Sequence, residues 1–181
     1  ALQENEEKHL DINFIIDLHC APGGRNSRNE FEMFFKEEFA QQFFLAWQLL
    51  ATHFKGKKGI FAYDLINEPV QIRVANENRD YLSIQYEAAK RIRKIDHSIP
   101  IIIESNIWDG PNSYHYLSPL PLRDIIYEVH MYQPHSFTHQ NVRSKMWAEE
   151  KKRSYPGLID GKNFDENEIE KSLSATIEFQ E

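Results

Sequence analysis

Polar side chains that can exchange protons and bind hydroxyl groups follow four apolar segments of this sequence. The residues are His19, Asn67, Glu68, Trp108, His130 and Tyr132. A carboxylic acid gives and takes a proton, whereas an amide, an imidazole and a phenol hydrogen-bond to hydroxyl groups. An indole offers a flat face to the C–H side of a sugar ring. Together these groups have the chemistry that glycoside hydrolysis or sugar binding requires.

Each of these residues also has an ordinary structural explanation when it is taken alone. Glu68 can be an exposed loop glutamate, since polar residues are common at turns. His19 and His130 can be hydrogen-bonded core histidines, Trp108 can cover a loop, and Tyr132 can cap a strand. The functional interpretation therefore depends on whether the fold brings these residues to one place.

The elements that must position these residues follow from the hydrophobic pattern. Four segments have the length and apolar content of buried strands, namely 12–18, 59–66, 99–104 and 124–132. Three segments have apolar residues at steps of three or four, namely 29–53, 81–95 and 165–179. Asn29 is expected to cap the first helix, and Asn163 and Glu166 have the spacing of a capping box. The alternation predicts an α/β fold in which parallel strands are joined by helices.

The two faces of the predicted strands differ in polarity. In the first strand Phe14 and Ile16 share one face, whereas Asp17 and His19 share the other, because neighbouring side chains in a strand point in opposite directions. This pattern suits a strand that packs on a helix on one side and lines a barrel on the other, with polar groups at the carboxyl ends. We therefore predict one domain over residues 1–181, built as a partial (β/α)8 barrel of four βα units.

Composition and motifs exclude several other classes. The 28 acidic and 21 basic residues give a net charge of −7, which argues against a nucleic-acid partner. No apolar run approaches the roughly 18 residues of a membrane span, so no membrane partner is predicted. The single cysteine, Cys20, excludes an intrachain disulfide. His130, His135 and His139 are too widely spaced for ligands on one short element, and we expect no metal and no cofactor.

The segments IDLHCAPGG, YDLINEPV, PIIIESNIW and VHMYQPHSFTHQ, in that order and spacing, resemble the third to sixth strands of glycoside hydrolase family 5, the cellulase-like (β/α)8 barrels. The resemblance implies that Glu68 is the general acid/base and that Asn67 binds the sugar hydroxyl next to the cleavage point. It also implies that His19, His130 and Tyr132 shape that subsite, and that Trp108 stacks on a sugar ring. An extracellular location is suggested by the resemblance alone.

The sequence departs from the family pattern where the second catalytic carboxylate is expected. The family's nucleophile is a glutamate on the seventh strand in a Gly-Glu-Phe-like motif, which does not occur here, and Glu178 and Glu181 fall in the last helical pattern. A (β/α)8 barrel also takes about 250 residues. The chain is therefore expected to be a fragment, or a half barrel that a homodimer can close, and to be inactive or very weak alone.

Two functions remain open at this point. The first is retaining hydrolysis of a β-linked glucan or a related polysaccharide, with glucan and mannan not distinguished. In that role Glu68 is expected to have a raised pKa. The second is a non-catalytic sugar-binding or assembly-only half barrel, which tolerates the absence of a nucleophile. The N-terminal ALQENEEKHL lacks a signal-peptide pattern, so the chain is expected to begin inside the fold.

Overall fold

The computed structural model describes residues 1–75, 79–140 and 153–181. These residues form two compact units. The first unit consists of Ala1–Asp109 and Ser118–Glu128, and the second consists of Gly110–Leu117 and Val129–Glu181. The first unit contains the parallel sheet and is described first.

The sheet of the first unit has four parallel strands in sequential order. They are β1 (Phe14–Asp17), β2 (Ile60–Asp64), β3 (Ile101–Glu104) and β4 (Ile125–Glu128). Parallel neighbours need crossover connections, which helices supply. The helices of this unit are α1 (Leu2–Glu7), α2 (Glu37–Phe54), α3 (Tyr81–Arg93) and the short turn α4 (Asn106–Asp109). The predicted arrangement of parallel strands joined by helices is confirmed.

The core of the first unit lies between the sheet and helices α2 and α3. The Trp47 side chain of α2 is fully buried, its ring centroid lies 5.7 Å from that of Tyr63 on β2, and its indole N–H donates to the Leu65 carbonyl at 3.0 Å. Helix α3 begins with a capping box, in which the Asp80 carboxylate accepts from the Ser83 N–H at 2.7 Å. The Trp47 contacts hold α2 against β2, and the capping box fixes where α3 begins.

The strand register places the polar residues on the sheet face opposite the helices. Asp17 pairs with Asp64, and Glu104 pairs with Glu128. Residues of the other parity face the helices, as the contact of Tyr63 with Trp47 illustrates. The predicted difference between an apolar face and a face that becomes polar at the carboxyl ends is therefore confirmed for these strands.

Several element bounds differ from the sequence prediction. The first predicted helix corresponds to α2, which begins at Glu37 rather than near Asn29. Residues 32–34 form a 3-10 turn, and Asn29 has a φ of 62°, which is not helical. The fourth strand ends at Glu128, four residues before the predicted end at Tyr132. Both errors arise because an apolar pattern continues past the point where the backbone changes conformation.

The second unit is built from short elements. They are a 3-10 helix (Pro111–Tyr116), α5 (His135–Thr138), the antiparallel pair β5 (Gly157–Ile159) and β6 (Lys162–Phe164), α6 (Glu166–Ser172) and α7 (Ser174–Gln180). The sequence pattern predicted one final helix and no hairpin. Instead Asp160 and Gly161 turn the chain with positive φ angles of 51° and 79°.

The predicted capping box at Asn163 and Glu166 is wrong. Asn163 lies in β6, and the helix that follows is capped by Asp165, whose carboxylate accepts from the Glu168 N–H at 3.2 Å. Within this unit Tyr114 and Phe179 make an edge-to-face contact with ring centroids 5.3 Å apart. Among the described residues, no helix combines the length and the apolar content that crossing a membrane requires.

Candidate active site

Asn67 and Glu68 follow the end of β2 in the loop at its carboxyl end. Both side chains are half-buried. Glu68 has a φ of 50°, in the left-handed region that costs an L-residue about 1–2 kcal/mol. A conformation of this kind persists only where surrounding contacts determine it, and such residues cluster at functional sites. The contacts of the Glu68 main chain are therefore the first feature of interest.

The main chain at Glu68 is hydrogen-bonded on both sides. The Arg25 guanidinium donates to the carbonyl oxygens of Asn67 and Glu68 at 3.1 and 2.9 Å. The Glu68 N–H donates to Oε2 of Glu104 at 2.6 Å. Arg25 lies in the loop after β1 and Glu104 ends β3, so the loops and strands on both sides of β2 fix this peptide. Neither residue is among the candidates predicted from the sequence.

The Arg25 side chain lies between two aromatic rings. Its Cζ atom is 3.8 Å from the ring centroid of Phe31 and 4.9 Å from that of Trp108. A third hydrogen bond runs from its Nη1 to the Asn29 carbonyl oxygen at 2.9 Å. Burial lowers the pKa of Arg25 from its ordinary value, and the charge of Glu68 opposes that shift. An arginine remains protonated in proteins, so a fixed positive charge lies beside Glu68.

The Glu104 carboxyl group lies in a buried cluster of acids. Carboxylate oxygens of Asp64, Glu104 and Glu128 all lie within 4.8 Å of one another, and Glu104 is fully buried. Burial, followed by the charges of Asp64 and Asp109, raises the pKa of Glu104 to about 10. Adjacent buried carboxylates cannot all ionise, so Glu104 carries a proton at neutral pH.

The main chain of Glu104 is itself held by a buried amide. Gln85 of α3 is fully buried, donates to the Glu104 carbonyl oxygen at 2.9 Å and accepts from the Glu104 N–H at 3.1 Å. Helix α3 thereby sets the position of Glu104, whose side chain accepts the hydrogen bond from the Glu68 N–H.

In the described part of the sheet, Asp64, Glu104 and Glu128 have carboxylate oxygens close enough together to hold a cation. A ligand carboxyl group must be deprotonated to bind a metal ion, so the raised pKa of Glu104 opposes such binding. The cluster is therefore better described as acids that share a proton.

Trp108 lies on a left-handed turn that is hydrogen-bonded to the loop after Glu68. Ile107, Trp108 and Asp109 have φ angles of 54°, 62° and 50°. The Trp108 N–H donates to the Pro69 carbonyl oxygen at 3.2 Å. The Asp109 carboxylate accepts from the N–H and the hydroxyl of Ser105 at 2.6 and 2.7 Å. Trp108 is 41% exposed on this turn.

Glu30 ties the loop after β1 to the loop that follows Glu68. Its carboxylate is fully buried and accepts from the N–H groups of Ile72 and Arg73 at 3.0 and 2.9 Å, from Nε of Arg73 at 2.8 Å and from Nδ2 of Asn26 at 3.1 Å. Burial alone would raise the pKa of Glu30, but these hydrogen bonds outweigh it and lower the pKa to about 2. A buried anion therefore holds the two loops together.

His19 is exposed at the carboxyl end of β1. Its Nδ1 atom lies 2.9 Å from Oδ2 of Asp17, an ion pair when the imidazole is protonated. The predicted core-histidine alternative does not hold for His19, because 70% of its side chain is exposed. This pairing orients the imidazole at the edge of the four-stranded sheet.

His130 and Tyr132 belong to the second unit, just after β4. His130 is half-buried and Tyr132 is 48% exposed. The Tyr132 ring lies against two imidazoles, with centroids 6.4 Å from that of His135 and 5.4 Å from that of His139. Tyr132 does not cap a strand, because β4 ends at Glu128.

The first unit thus brings together three of the six predicted residues, Asn67, Glu68 and Trp108, around Arg25. Arg25 was missed because an arginine after a glycine pair has no distinctive spacing. Glu104 is the last residue of a predicted strand. It lies on the same face as Ile102, which pairs with Asp64, so strand register places it on the polar face.

A family model described as cellulase, glycosyl hydrolase family 5, matches residues 5–177. Endoglucanase C of Acetivibrio thermocellus is 28% identical over 160 residues, which are 85% of this chain and 45% of that protein. Cellodextrinase A of Ruminococcus flavefaciens is 24% identical over 133 residues, which are 72% of this chain and 39% of that protein. The chain spans less than half the length of these curated relatives.

Solved structures show the same fold. A crystal structure of a glycoside hydrolase has a TM-score of 0.74 at 24% identity and covers 99% of this chain and 55% of its own. Cel5A of Thermotoga maritima, solved in complex with cellobiose, has a TM-score of 0.71 at 24% identity, covering 98% of this chain and 53% of its own. The chain belongs to the cellulase family, glycosyl hydrolase family 5.

Proposed function

We propose that this chain carries the acid/base half of a retaining β-glycoside hydrolase that acts on a β-linked polysaccharide. Glu68 is the general acid/base, and Asn67 binds the hydroxyl group next to the cleavage point. The observation that carries the proposal is the fixed, left-handed main chain of Glu68, which Arg25 and Glu104 hold from both sides. A general acid must be fixed in position to reach the leaving oxygen, and these hydrogen bonds fix the peptide that carries the Glu68 side chain.

The second carboxylate is proposed to come from outside the four strands. A retaining mechanism needs two carboxyl groups about 5–5.5 Å apart. Glu104 and Asp109 are fully buried, which keeps them from a sugar carbon, and Glu178 lies in the second unit with a carboxylate oxygen 3.9 Å from His115. The chain alone is therefore expected to be hydrolytically inactive or very weak.

The remaining predicted residues have supporting roles in this proposal. Trp108 offers its exposed indole face to a sugar ring, and the exposed His19 imidazole, oriented by Asp17, hydrogen-bonds to hydroxyl groups. For His130 and Tyr132, which belong to the second unit, a role in sugar binding is proposed from the family resemblance alone. No cofactor and no metal takes part, because the carboxyl groups supply the proton and the nucleophile.

The proposed substrate class is a β-linked glucan or a closely related polysaccharide. The relatives named endoglucanase and cellodextrinase support a glucan, whereas Thermotoga maritima Cel5A was also solved in complex with mannotriose. Cello- and manno-oligosaccharides are therefore both used in the test.

The test supplies the second carboxylate from solution. The purified chain is incubated with 4-nitrophenyl β-cellobioside, with and without formate. Formate attacks the anomeric carbon while nitrophenol leaves with the proton of Glu68, and the glycosyl formate is hydrolysed afterwards. We expect the wild-type chain to release nitrophenol only when formate is present. On cellotetraose, whose leaving group is not activated, we expect Glu68→Gln to hydrolyse the substrate at least 100-fold more slowly than the wild type does in the same formate assay. Glu178→Gln, the matched control on α7, should retain the wild-type rate.

A non-catalytic sugar-binding half barrel is the second candidate, and the exposed Trp108 face favours it independently of Glu68. Binding of cellotetraose or mannotetraose without any formate-dependent turnover would support this candidate over the enzyme. Turnover without formate would show that a carboxylate of this chain is the nucleophile. Absence of both binding and turnover would overturn both functions.

A further inference from the structure

Arg25 is the residue through which the candidate acid/base and the exposed tryptophan contact each other. Its guanidinium donates to the carbonyl oxygens of Asn67 and Glu68 and stacks with its Cζ atom 4.9 Å from the Trp108 ring centroid. The same Cζ atom lies 3.8 Å from the ring centroid of Phe31. A single planar group thus touches the peptide of Glu68 and the ring on which a sugar would stack.

We propose that Arg25 is a positioning residue that holds the Glu68 peptide and the Trp108 ring in one geometry, so that a sugar stacked on Trp108 is presented to the Glu68 carboxyl group. The inference rests on the proposed function and adds a residue to it. Arg25 itself touches neither the cleaved bond nor the transferred proton.

The shape of the guanidinium makes this role specific to arginine. Its five N–H donors lie in one plane, so Nη2 reaches two carbonyl oxygens and Nη1 reaches the Asn29 carbonyl oxygen at 2.9 Å while both faces stay free for stacking. A lysine ammonium keeps the charge but has neither the fork nor the flat face. Charge alone therefore does not account for the arrangement.

The left-handed backbone of Glu68 requires such a contact. A φ of 50° is costly for glutamate, and two anchors hold it there, Arg25 on the carbonyl side and Glu104 on the N–H side. When Arg25 is removed, this peptide loses the anchor on its carbonyl side and keeps the one on its N–H side. We expect the Glu68 side chain then to vary more in direction, although the sheet beneath it is unchanged.

The first measurement needs no catalysis. In the full chain, ¹H–¹⁵N spectra and amide hydrogen exchange are recorded for wild type, Arg25→Ala and Arg91→Ala. Arg91 is a matched control, because like Arg25 it donates a hydrogen bond to oxygen, here to the Glu87 carboxylate at 2.9 Å, and stacks on a ring, that of Phe44 at 4.3 Å. We expect Arg25→Ala to shift the Glu68 amide and the Trp108 indole signals and to speed exchange of the Glu68 amide at least tenfold. A folded Arg25→Ala chain with unchanged signals overturns the proposal.

The second measurement separates positioning from a general structural role. In the formate-supplemented assay, Arg25→Ala should lose at least tenfold in kcat on cellotetraose, whose leaving group needs an acid, and less than threefold on 2,4-dinitrophenyl β-cellobioside, whose leaving group does not. Guanidinium at millimolar concentration should restore the first rate, and Arg25→Lys should not. Equal losses on both substrates, or restoration by lysine, would overturn the positioning role. If the wild-type chain shows no turnover, the proposed function fails, and the spectra still decide the role of Arg25.

Discussion

Replacing Glu30 with glutamine is expected to weaken the connection between the two loops that flank the candidate site, and to do so in a pH-dependent way. The buried carboxylate accepts four hydrogen bonds, two of them from the main chain of Ile72 and Arg73. Glutamine keeps one acceptor oxygen, but its amide N–H₂ replaces the oxygen that faces the donors of Asn26 and Arg73. The substitution therefore removes charge and places donors against donors.

The size of the effect follows from the pKa of Glu30, which lies at about 2 against an ordinary value of 4.5. At about 1.4 kcal/mol per tenfold change in acidity, this difference corresponds to at most about 3.5 kcal/mol of the free energy of unfolding. The Arg73 side chain is 45% exposed, so solvent screening reduces that contribution to about 1–2 kcal/mol. For a chain of this length, at about 2–4 °C per kcal/mol, we expect Tm to fall by about 2–8 °C at pH 7.

The sign of the pH dependence is fixed by the direction of the shift. A carboxyl group with a lowered pKa in the folded state stabilises that state above its unfolded pKa, and the stabilisation disappears as the pH falls from 4.5 toward 2. The difference in unfolding free energy between wild type and Glu30→Gln should therefore be largest near pH 7 and shrink below pH 4.5.

The assay is urea unfolding of both proteins, followed by tryptophan fluorescence, at pH values from 7 to 3. Glu6→Gln is the matched control, because Glu6 is exposed on α1 and undergoes the same chemical change. The control should unfold like the wild type at every pH. A stability difference for Glu30→Gln that stays constant from pH 7 to pH 3 would refute the buried-anion explanation.

Four further outcomes are expected. Glu104→Gln should be more stable than wild type by about 1–2 kcal/mol at pH 8, because a raised pKa means that stability is lost as the pH rises above 4.5; equal alkaline stability would contradict this. Trp47→Phe should lower the free energy of unfolding by about 2 kcal/mol through its lost hydrogen bond and buried area, measured in urea. Asp80→Ala should cost about 1 kcal/mol by removing the cap of α3, also measured in urea. If the chain closes as a half-barrel homodimer, light scattering should find dimers, and Ile15→Lys, at an exposed apolar position on β1, should reduce them; a monomeric wild type would favour the fragment alternative.

The strands and their order could be predicted because the apolar runs are short, rich in isoleucine and bounded by turn residues. Alternating helical patterns between them leave a parallel sheet as the simple arrangement. The strand ends were harder to place, since the apolar alternation after Glu128 continues to Tyr132 while the ladder stops. Pairing with a neighbour, rather than local pattern, decides where a strand ends.

The helical spacing of apolar residues before α2 arises from a 3-10 turn and not from an α-helix. Phe34 and Phe35 follow Phe31 by three and four positions, which is the spacing of a helix face. A 3-10 turn nevertheless buries Phe31 and Phe34 equally well. Asn29 adopts a left-handed conformation that Asn tolerates, and therefore precedes a turn instead of capping a helix. Local spacing alone did not distinguish these alternatives.

The sequence offers candidates for the site only where the chemistry lies in side chains at strand ends. Glu68, Asn67 and Trp108 could be proposed because polar and aromatic residues at strand ends are conspicuous. Arg25 acts through main-chain carbonyl oxygens of residues 42 and 43 positions away, and no local pattern encodes such a contact. The identity of the groups that touch a substrate is thus easier to read from sequence than the identity of the groups that hold them.

The left-handed turn at Asn106–Asp109 has a consequence for protein engineering. Ile107 has a β-branched side chain at a φ of 54° and is 48% exposed, so little packing offsets its backbone cost. Glycine adopts this conformation freely, and Ile107→Gly is a candidate thermostabilising substitution worth about 0.5–1 kcal/mol. The same flexibility would loosen the neighbouring Trp108, so selection for a rigid stacking surface and selection for heat resistance act in opposite directions at this residue.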